Sequence, residues 1–287
     1  MRKYAIGAVV SGALAVSALA APSASAATPD LSFSNAVVNN GKAIVVGTSG
    51  VVNVPVRFTL VHPVGVVLNN MSDNVVTEGS ANIAGIALYR GRTVAKAVNE
   101  MEPDQAPKCT PTTTTATTVT ESCTEVIALA PEDYLYEAAD AGTWKVAGFY
   151  GHVSLDSDDD GNHVSFDYGY DMWGIPGTAQ VKRAAKLSVN AGPEPVKKGG
   201  TLTVKGALTR ADWNTGRYTG LKGQPAALQF KAKGATAYKT VKTVTSGTAG
   251  ALSTTVKATT DGTYRYTFAG TATTGTATAT GDYVDVK

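Results

Sequence analysis

Apolar residues along the chain recur at every second position, in short runs closed by Gly, Pro, Asn or Asp. Val52, Val54, Val56, Phe58 and Leu60 share one face of an extended segment. Leu202-Val204, Leu228-Phe230, Val241-Val244 and Leu252-Val256 repeat the pattern. A period of two is that of a strand with one face buried, and many short strands with frequent turns predict β-sandwiches. No long stretch keeps helical spacing. The single helical turn expected follows Pro131, over Glu132–Ala139, where a first-position Pro and early acids suit a helix start.

An internal echo predicts two related domains. Asp140-Ala141-Gly142-Thr143-Trp144-Lys145-Val146 parallels Asp261-Gly262-Thr263-Tyr264-Arg265-Tyr266. Each sets an acid, a Gly-Thr turn, a large aromatic and a base before an alternating strand. This resembles the corner before strand F of immunoglobulin-like sandwiches, where a Tyr hydroxyl bonds back to upstream backbone, a role open to Tyr264. The expected fold is all-β: two immunoglobulin-like β-sandwiches in tandem after a cleaved leader. The boundaries are read as a signal peptide over 1–26, a first domain over 28–182 and a second over 183–287.

Arg2 and Lys3, the Ala/Val/Leu-rich run Ile6–Ala21, and Ala24-Ser25-Ala26 have the layout of a secretory signal peptide. The apolar run is shorter than the roughly 20 residues of a membrane span, and none is expected later. The chain is read as extracellular, released or held at the cell wall. Export makes a disulfide the default for the only two cysteines, Cys109 and Cys123, with a metal site as the weaker alternative. The intervening loop is mostly Thr and reads as a clamped β-excursion.

Length and composition alter this picture only when divided. The 287 residues carry 25 Lys+Arg and 23 Asp+Glu, a net +2. The leader's two cations account for all of it. Residues 28–182 hold 8 bases and 18 acids, and residues 183–287 hold 15 bases and 5 acids. The chain beyond the leader is thus neutral but joins −10 to +10. Lys231, Lys233, Lys239, Lys242 and Lys257 are read as one charged outer face, suited to an anionic cell-wall polymer. Export and the missing recognition motifs argue against nucleic acid.

Arg183–Ala191, Pro193–Gly199, Phe268-Ala269-Gly270-Thr271 and the closing Gly281–Lys287 resemble secreted actinobacterial (Streptomyces-type) proteins of unknown function with immunoglobulin-like domains. Some of these carry the loose label calcium-binding protein. The likeness spans the second domain and, more weakly, Ala141–Val146 and the Cys pair. It implies fold and export, and it brings no functional residues with it.

The sharpest local motif is Asp156-Ser157-Asp158-Asp159-Asp160-Gly161-Asn162. Carboxylates at Asp156, Asp158 and Asp160 before Gly161 match the opening of a calcium loop, and Asp167 falls at its twelfth position. Calcium takes six to eight oxygens, which alternate acids on a tight turn begin to supply. The twelfth residue is Asp, not Glu, and strands flank the run. A hairpin tip holding calcium and a solvated turn both remain open. His152 and His163 flank the tip, and with its acids they offer a transition-metal alternative; His62 precedes Pro63 in a strand and turn context.

No GxSxG, HExxH, P-loop or GxGxxG motif occurs, so the chain is read as no enzyme. Trp173, Trp213, Tyr218, Tyr238 and Tyr283 supply rings for a carbohydrate or caps for the sandwich ends. The function expected is a secreted non-catalytic binding or structural module. The alternative is a secreted hydrolase or protease inhibitor working through a sandwich loop. Oligomeric state is not legible.

Overall fold

The computed structural model describes residues 28–68, 79–157 and 164–287, the side chains at 79–80, 154–157 and 164–167 excepted. The leader thus lies outside the described residues. The first nine strands are β1 (Ser32–Val38), β2 (Ile44–Val46), β3 (Val52–Pro63), β4 (Gly79–Gly91), β5 (Ala97–Met101), β6 (Lys108–Thr114), β7 (Thr118–Leu129), β8 (Gly142–Ser157) and β9 (Val164–Arg183). They are followed by β10 (Ala185–Leu187), β11 (Asn190–Gly192), β12 (Thr201–Asp212), β13 (Arg217–Gly220), β14 (Pro225–Ala232), β15 (Lys239–Thr245), β16 (Ala251–Lys257), β17 (Gly262–Phe268), β18 (Ala277–Thr278) and β19 (Asp282–Val284). Two compact units are interleaved in sequence. Of the described residues, the first takes those from 28 to 42, Asn53–Leu129 and Trp144–Ala179; the second takes Ala43–Val52, Ala130–Thr143 and Gln180–Lys287.

In the first unit one sheet runs β1-β3-β7-β6 and the other β9-β8-β4-β5. In the lettering of immunoglobulin-like sandwiches these are ABED and GFCC′. The period-two reading of β3 holds: Val54, Val56, Phe58 and Leu60 are buried while Asn53, Arg57 and Thr59 lie on the other face. Each such side chain contributes about 1.5–3 kcal/mol by leaving water, and a one-residue slip would expose all four, so register is fixed. β6 is an edge strand, which is where Pro111 is tolerated.

The second unit repeats the plan. β12 pairs with β10, β11, β13 and β16; the facing sheet runs β15-β14-β17-β18, with β19 also on β17. This is the ABE and C′CFG arrangement, with Val196 bridging Val286 in parallel. Leu202, Val204, Leu208, Leu228, Leu252, Tyr266 and Val284 form its core. The added segments have clear roles. β2 pairs in parallel with the end of β9, Ile44 opposite Val181 and Val46 opposite Arg183. Ile44 and Val46 are buried, as is Leu135 from Ala130–Thr143.

The helical turn is shorter than the sequence suggests. Pro131–Tyr134 is helical, then Leu135 turns inward, and Ala138–Asp140 makes a 3-10 turn. Asp140 Oδ2 accepts the amides of Tyr136 (2.8 Å) and Glu137 (2.9 Å), drawing both N–H groups out of any continuing helix.

Both echoed segments enter their strands at the same point, β8 at Gly142 and β17 at Gly262, for different reasons. Gly142 has a positive φ of 151°. At Gly262 a Cβ would stand 2.4 Å from the Phe230 ring, so the side chain is excluded by packing. The hydroxyl that crosses the sandwich belongs to Tyr266, not Tyr264: it donates to Val204 O at 3.1 Å, while the Tyr264 ring packs on Phe230 at 4.6 Å. Burial pushes the Tyr266 phenol up to about 12.

Candidate functional site

Cys109 and Cys123 are bonded and stand directly opposite each other on β6 and β7, their Cα atoms 4.1 Å apart. The hairpin beyond them is exposed over residues 110–117. Its tip is closed by the Thr115 amide donating to Thr118 O and the Thr118 amide donating to Thr115 Oγ1, both at 2.9 Å. The clamped excursion expected from the Thr-rich run is therefore a disulfide-based hairpin.

On the inward face of β7 the alternation Cys123, Glu125, Ile127, Leu129 places a carboxyl in the core. Glu125 Oε1 accepts the Ile86 amide of β4 at 3.0 Å; Oε2 is buried without a hydrogen-bond partner. Burial pushes this acid up to about 8, against the opposing pull of the Ile86 N–H. Gly85 makes the room: a Cβ there would lie 2.7 Å from Oε2 and 2.9 Å from the Phe149 ring. The sequence reading passed over Glu125, although its place two residues from Cys123 and Ile127 marks the apolar face.

His62 ends the buried face of β3. Its Nδ1 lies 3.0 Å from Pro63 O, and its Nε2 lies 3.7 Å from Glu121 Oε2 on β7. The Glu121 carboxylate and the sulfurs of Cys109 and Cys123 lie within 4.8 Å of one another. Glu121 too went unremarked in the sequence, because only strand pairing brings it beside the disulfide.

Of the expected calcium ligands, Asp158 and Asp160 lie outside the described residues, as does His163. Asp156 falls near the end of β8 and Asp167 in β9, and their side chains are not described. His152 is buried in β8 with its ring 5.8 Å from that of Tyr150. Gly169 leaves it space, since a Cβ there would stand 2.1 Å from the imidazole.

The aromatic residues divide sharply. Trp213 is buried, donates its indole N–H to Gly47 O at 2.9 Å, and lies under the Arg183 guanidinium at 5.3 Å. It is no exposed sugar platform. Arg183 is itself buried; burial, then Arg210, lowers its pKa. Trp173 packs on Phe33 at 5.5 Å, and Tyr218 lies under Lys186 at 3.8 Å. Tyr238 is different. It is half-buried, with the Arg265 guanidinium 3.7 Å and the Lys231 ammonium 5.1 Å from its ring centre. Arg265 alternates with the buried Tyr264 and Tyr266 and so lies on the outward face of β17, where its Nε donates to Gln229 at 2.9 Å.

The five lysines do not make one face. Lys231, Lys239 and Lys242 belong to β14 and β15, and Lys233 follows β14 and pairs with Asp261 at 3.4 Å. Lys257 is on β16 in the opposite sheet and donates to Thr201 Oγ1 at 2.9 Å. By compact unit, residues from 28 onward carry 7 bases and 14 acids in the first and 16 bases and 9 acids in the second. The opposition of charge survives the interleaving, reduced to −7 and +7. Among the described residues no helix is long and apolar enough to cross a membrane.

No protein-family model matches the chain, and no curated protein matches it. Among solved structures it is similar to the full ectodomain (Ig1–Ig3) of mouse nectin-like molecule 4, at 15% identity and a TM-score of 0.21. The match covers 88% of this chain and 65% of that one, just under two thirds of its length. The immunoglobulin-like assignment rests on the strand orders above, not on that likeness.

Proposed function

We propose that the chain is an exported, non-catalytic binding module whose second unit holds an anionic polymer of the cell envelope. The supporting observation is the cluster on the outward face of β14 and β17, where Arg265 and Lys231 flank the Tyr238 ring. Two cations around an aromatic ring offer charge to a phosphate or carboxylate polymer and an apolar face to its sugar or polyol carbons. The surplus of bases in the same unit raises the local concentration of a polyanion. Binding of the full chain to a poly(glycerol phosphate) polymer tests this. Arg265→Gln with Lys231→Gln is expected to weaken binding five- to tenfold and flatten its salt dependence. Lys257→Gln, on the opposite sheet, is expected to do neither. Equal losses in both variants, or no binding by the parent chain, overturn the reading.

The proposal includes calcium at the Asp-rich run between β8 and β9, supported by the sequence spacing of Asp156, Asp158, Asp160 and Asp167. A second reading, protease inhibition, is favoured by the exposed β6–β7 hairpin with the Cys109–Cys123 bond at its base. A rigid exposed loop loses little entropy on entering a protease cleft. Inhibition of a panel of secreted proteases by the full chain, lost when Thr115–Thr118 is replaced by Asn-Gly, would establish it; an inert chain would dismiss it.

A further inference from the structure

We propose that the Cys109–Cys123 bond masks a zinc site, which reduction opens and which Glu121 and His62 complete. Three donor groups lie together on β6 and β7, and a fourth, His62 of β3, faces one of them, Glu121. The two sulfurs and a Glu121 oxygen already lie within 4.8 Å of one another. Donors sharing one tetrahedral zinc, with bonds of about 2.0–2.3 Å, stand about 3.3–3.8 Å apart. To reach that shell the two sulfurs must part once their bond is gone, and Glu121 and His62 must close on the ion between them.

His62 supplies the independent observation. A carbonyl cannot donate, so the 3.0 Å contact with Pro63 O calls for a proton on Nδ1. That leaves Nε2, the atom 3.7 Å from Glu121, as the nitrogen open to a second proton or a metal ion. The pair is favourable with a cation between the two atoms, whether a proton on Nε2 or a metal ion held by both. A ring N–H anchored on backbone while the other nitrogen faces acidic or sulfur donors is the common arrangement of a metal-bound histidine. His62 is buried and Glu121 nearly so, with side-chain exposures of 8% and 14%, so bulk water competes little for the ion.

While the disulfide is closed its sulfurs are poor ligands, because the thiolate is the form that binds zinc. Cys123 is buried, but Cys109 lies on the edge strand and is partly exposed, within reach of a small dithiol. The dithiol delivers two electrons and two protons, closing to its own disulfide as Cys109 and Cys123 become thiols. Zinc then displaces both thiol protons to solvent and takes two sulfurs, one carboxylate oxygen and His62 Nε2. Two thiolates and one imidazole suit zinc, whereas calcium takes oxygen ligands alone.

The test uses the full chain and cobalt(II) as a spectroscopic stand-in for zinc. After reduction by a dithiol, one equivalent of cobalt is expected to give tetrahedral d–d bands and thiolate charge-transfer absorption, both abolished by one equivalent of zinc. The oxidised chain is expected to give neither. His62→Ala and Glu121→Ala, each followed by far-ultraviolet circular dichroism to confirm folding, are expected to weaken zinc binding at least tenfold. Cys109→Ser with Cys123→Ser is expected to abolish it. Absence of a tetrahedral spectrum after reduction overturns the proposal. So do unchanged affinities in the His62 and Glu121 variants, which would mean two thiols acting alone, and so does unfolding on reduction in the presence of zinc.

Discussion

The two sandwiches have related strand orders, and both bury polar groups: the second buries Asp140, Arg183, Ser246 and Thr274 beside its apolar cluster, whereas the first puts Glu125 and His62 in line with the apolar residues of β7 and β3. The second unit has an apolar core in which the Tyr266 hydroxyl reaches across the sheets and is satisfied by Val204 O. The first places Glu125 and His62 on inward faces, leaves one Glu125 oxygen unpaired, and ties β6 to β7 with a disulfide. The contrast teaches that strand order fixes which positions face inward and not which residues fill them. A buried carboxyl with one unpaired oxygen costs stability.

The sharpest test of this difference is the pH dependence of the first unit. Glu125 has a folded pKa of about 8, above its ordinary value of 4.5. Between those values the folded state holds a proton that the unfolded state has released. Stability therefore falls as pH rises through that window, by about 1.4 kcal/mol per pH unit, and levels off above it. Denaturant titrations from pH 4 to 9 are expected to show this slope in the parent chain and lose it in Glu125→Gln, which is also the more stable protein at pH 8. Parallel pH profiles for the two proteins would remove the carboxyl from the account.

The disulfide comes next. Cys109→Ser with Cys123→Ser is expected to cost about 3 kcal/mol by the loop-entropy argument for a short closed loop. The loss should appear in the transition of the first unit and leave that of the second in place. A shared shift of both transitions would show that the units unfold together.

In the second unit Tyr266→Phe removes the bond to Val204 O and is expected to cost about 1–1.5 kcal/mol. Tyr264→Phe keeps the ring on Phe230 and is expected to cost under about 0.5 kcal/mol. Thermal melts of the two variants compare them directly, and a larger loss at Tyr264 would reverse the assignment of the crossing hydroxyl.

The effect expected of calcium is smaller than that of Tyr266→Phe. At millimolar ion and an affinity typical of extracellular modules, stabilisation is about 1 kcal/mol. It would be seen as a raised melting temperature, reversed by EDTA and absent in Asp158→Asn with Asp160→Asn. A melt indifferent to calcium would leave the Asp-rich run a solvated turn.

Much of the fold was legible because a strand with one wet face writes its period into the chain. The alternations of β3, β12, β14 and β16 were readable for that reason, and so was the likeness of the segments entering β8 and β17. The candidate sites were less so. Tyr264 and Tyr266 share the inward face of β17, so alternation alone cannot say which hydroxyl meets a carbonyl. Trp213 sits in a Gly- and Asn-rich stretch that reads as exposed, yet Gly47 takes its N–H from far along the chain. Lys257 alternates like the other lysines but belongs to the opposite sheet.

By itself, then, the sequence determined the local quantities: strand period, turn positions, the pairing of the only two cysteines, and the opposition of charge between the two halves. These depend on neighbours within a few residues or on counting. Tertiary structure alone decided that Ala43–Val52 and Ala130–Thr143 join the second unit, that Glu125 loses water on one oxygen, and that Glu121 and His62 meet beside the disulfide. Each of those depends on which strands pair and which faces oppose, contacts between residues distant in sequence that no local pattern records.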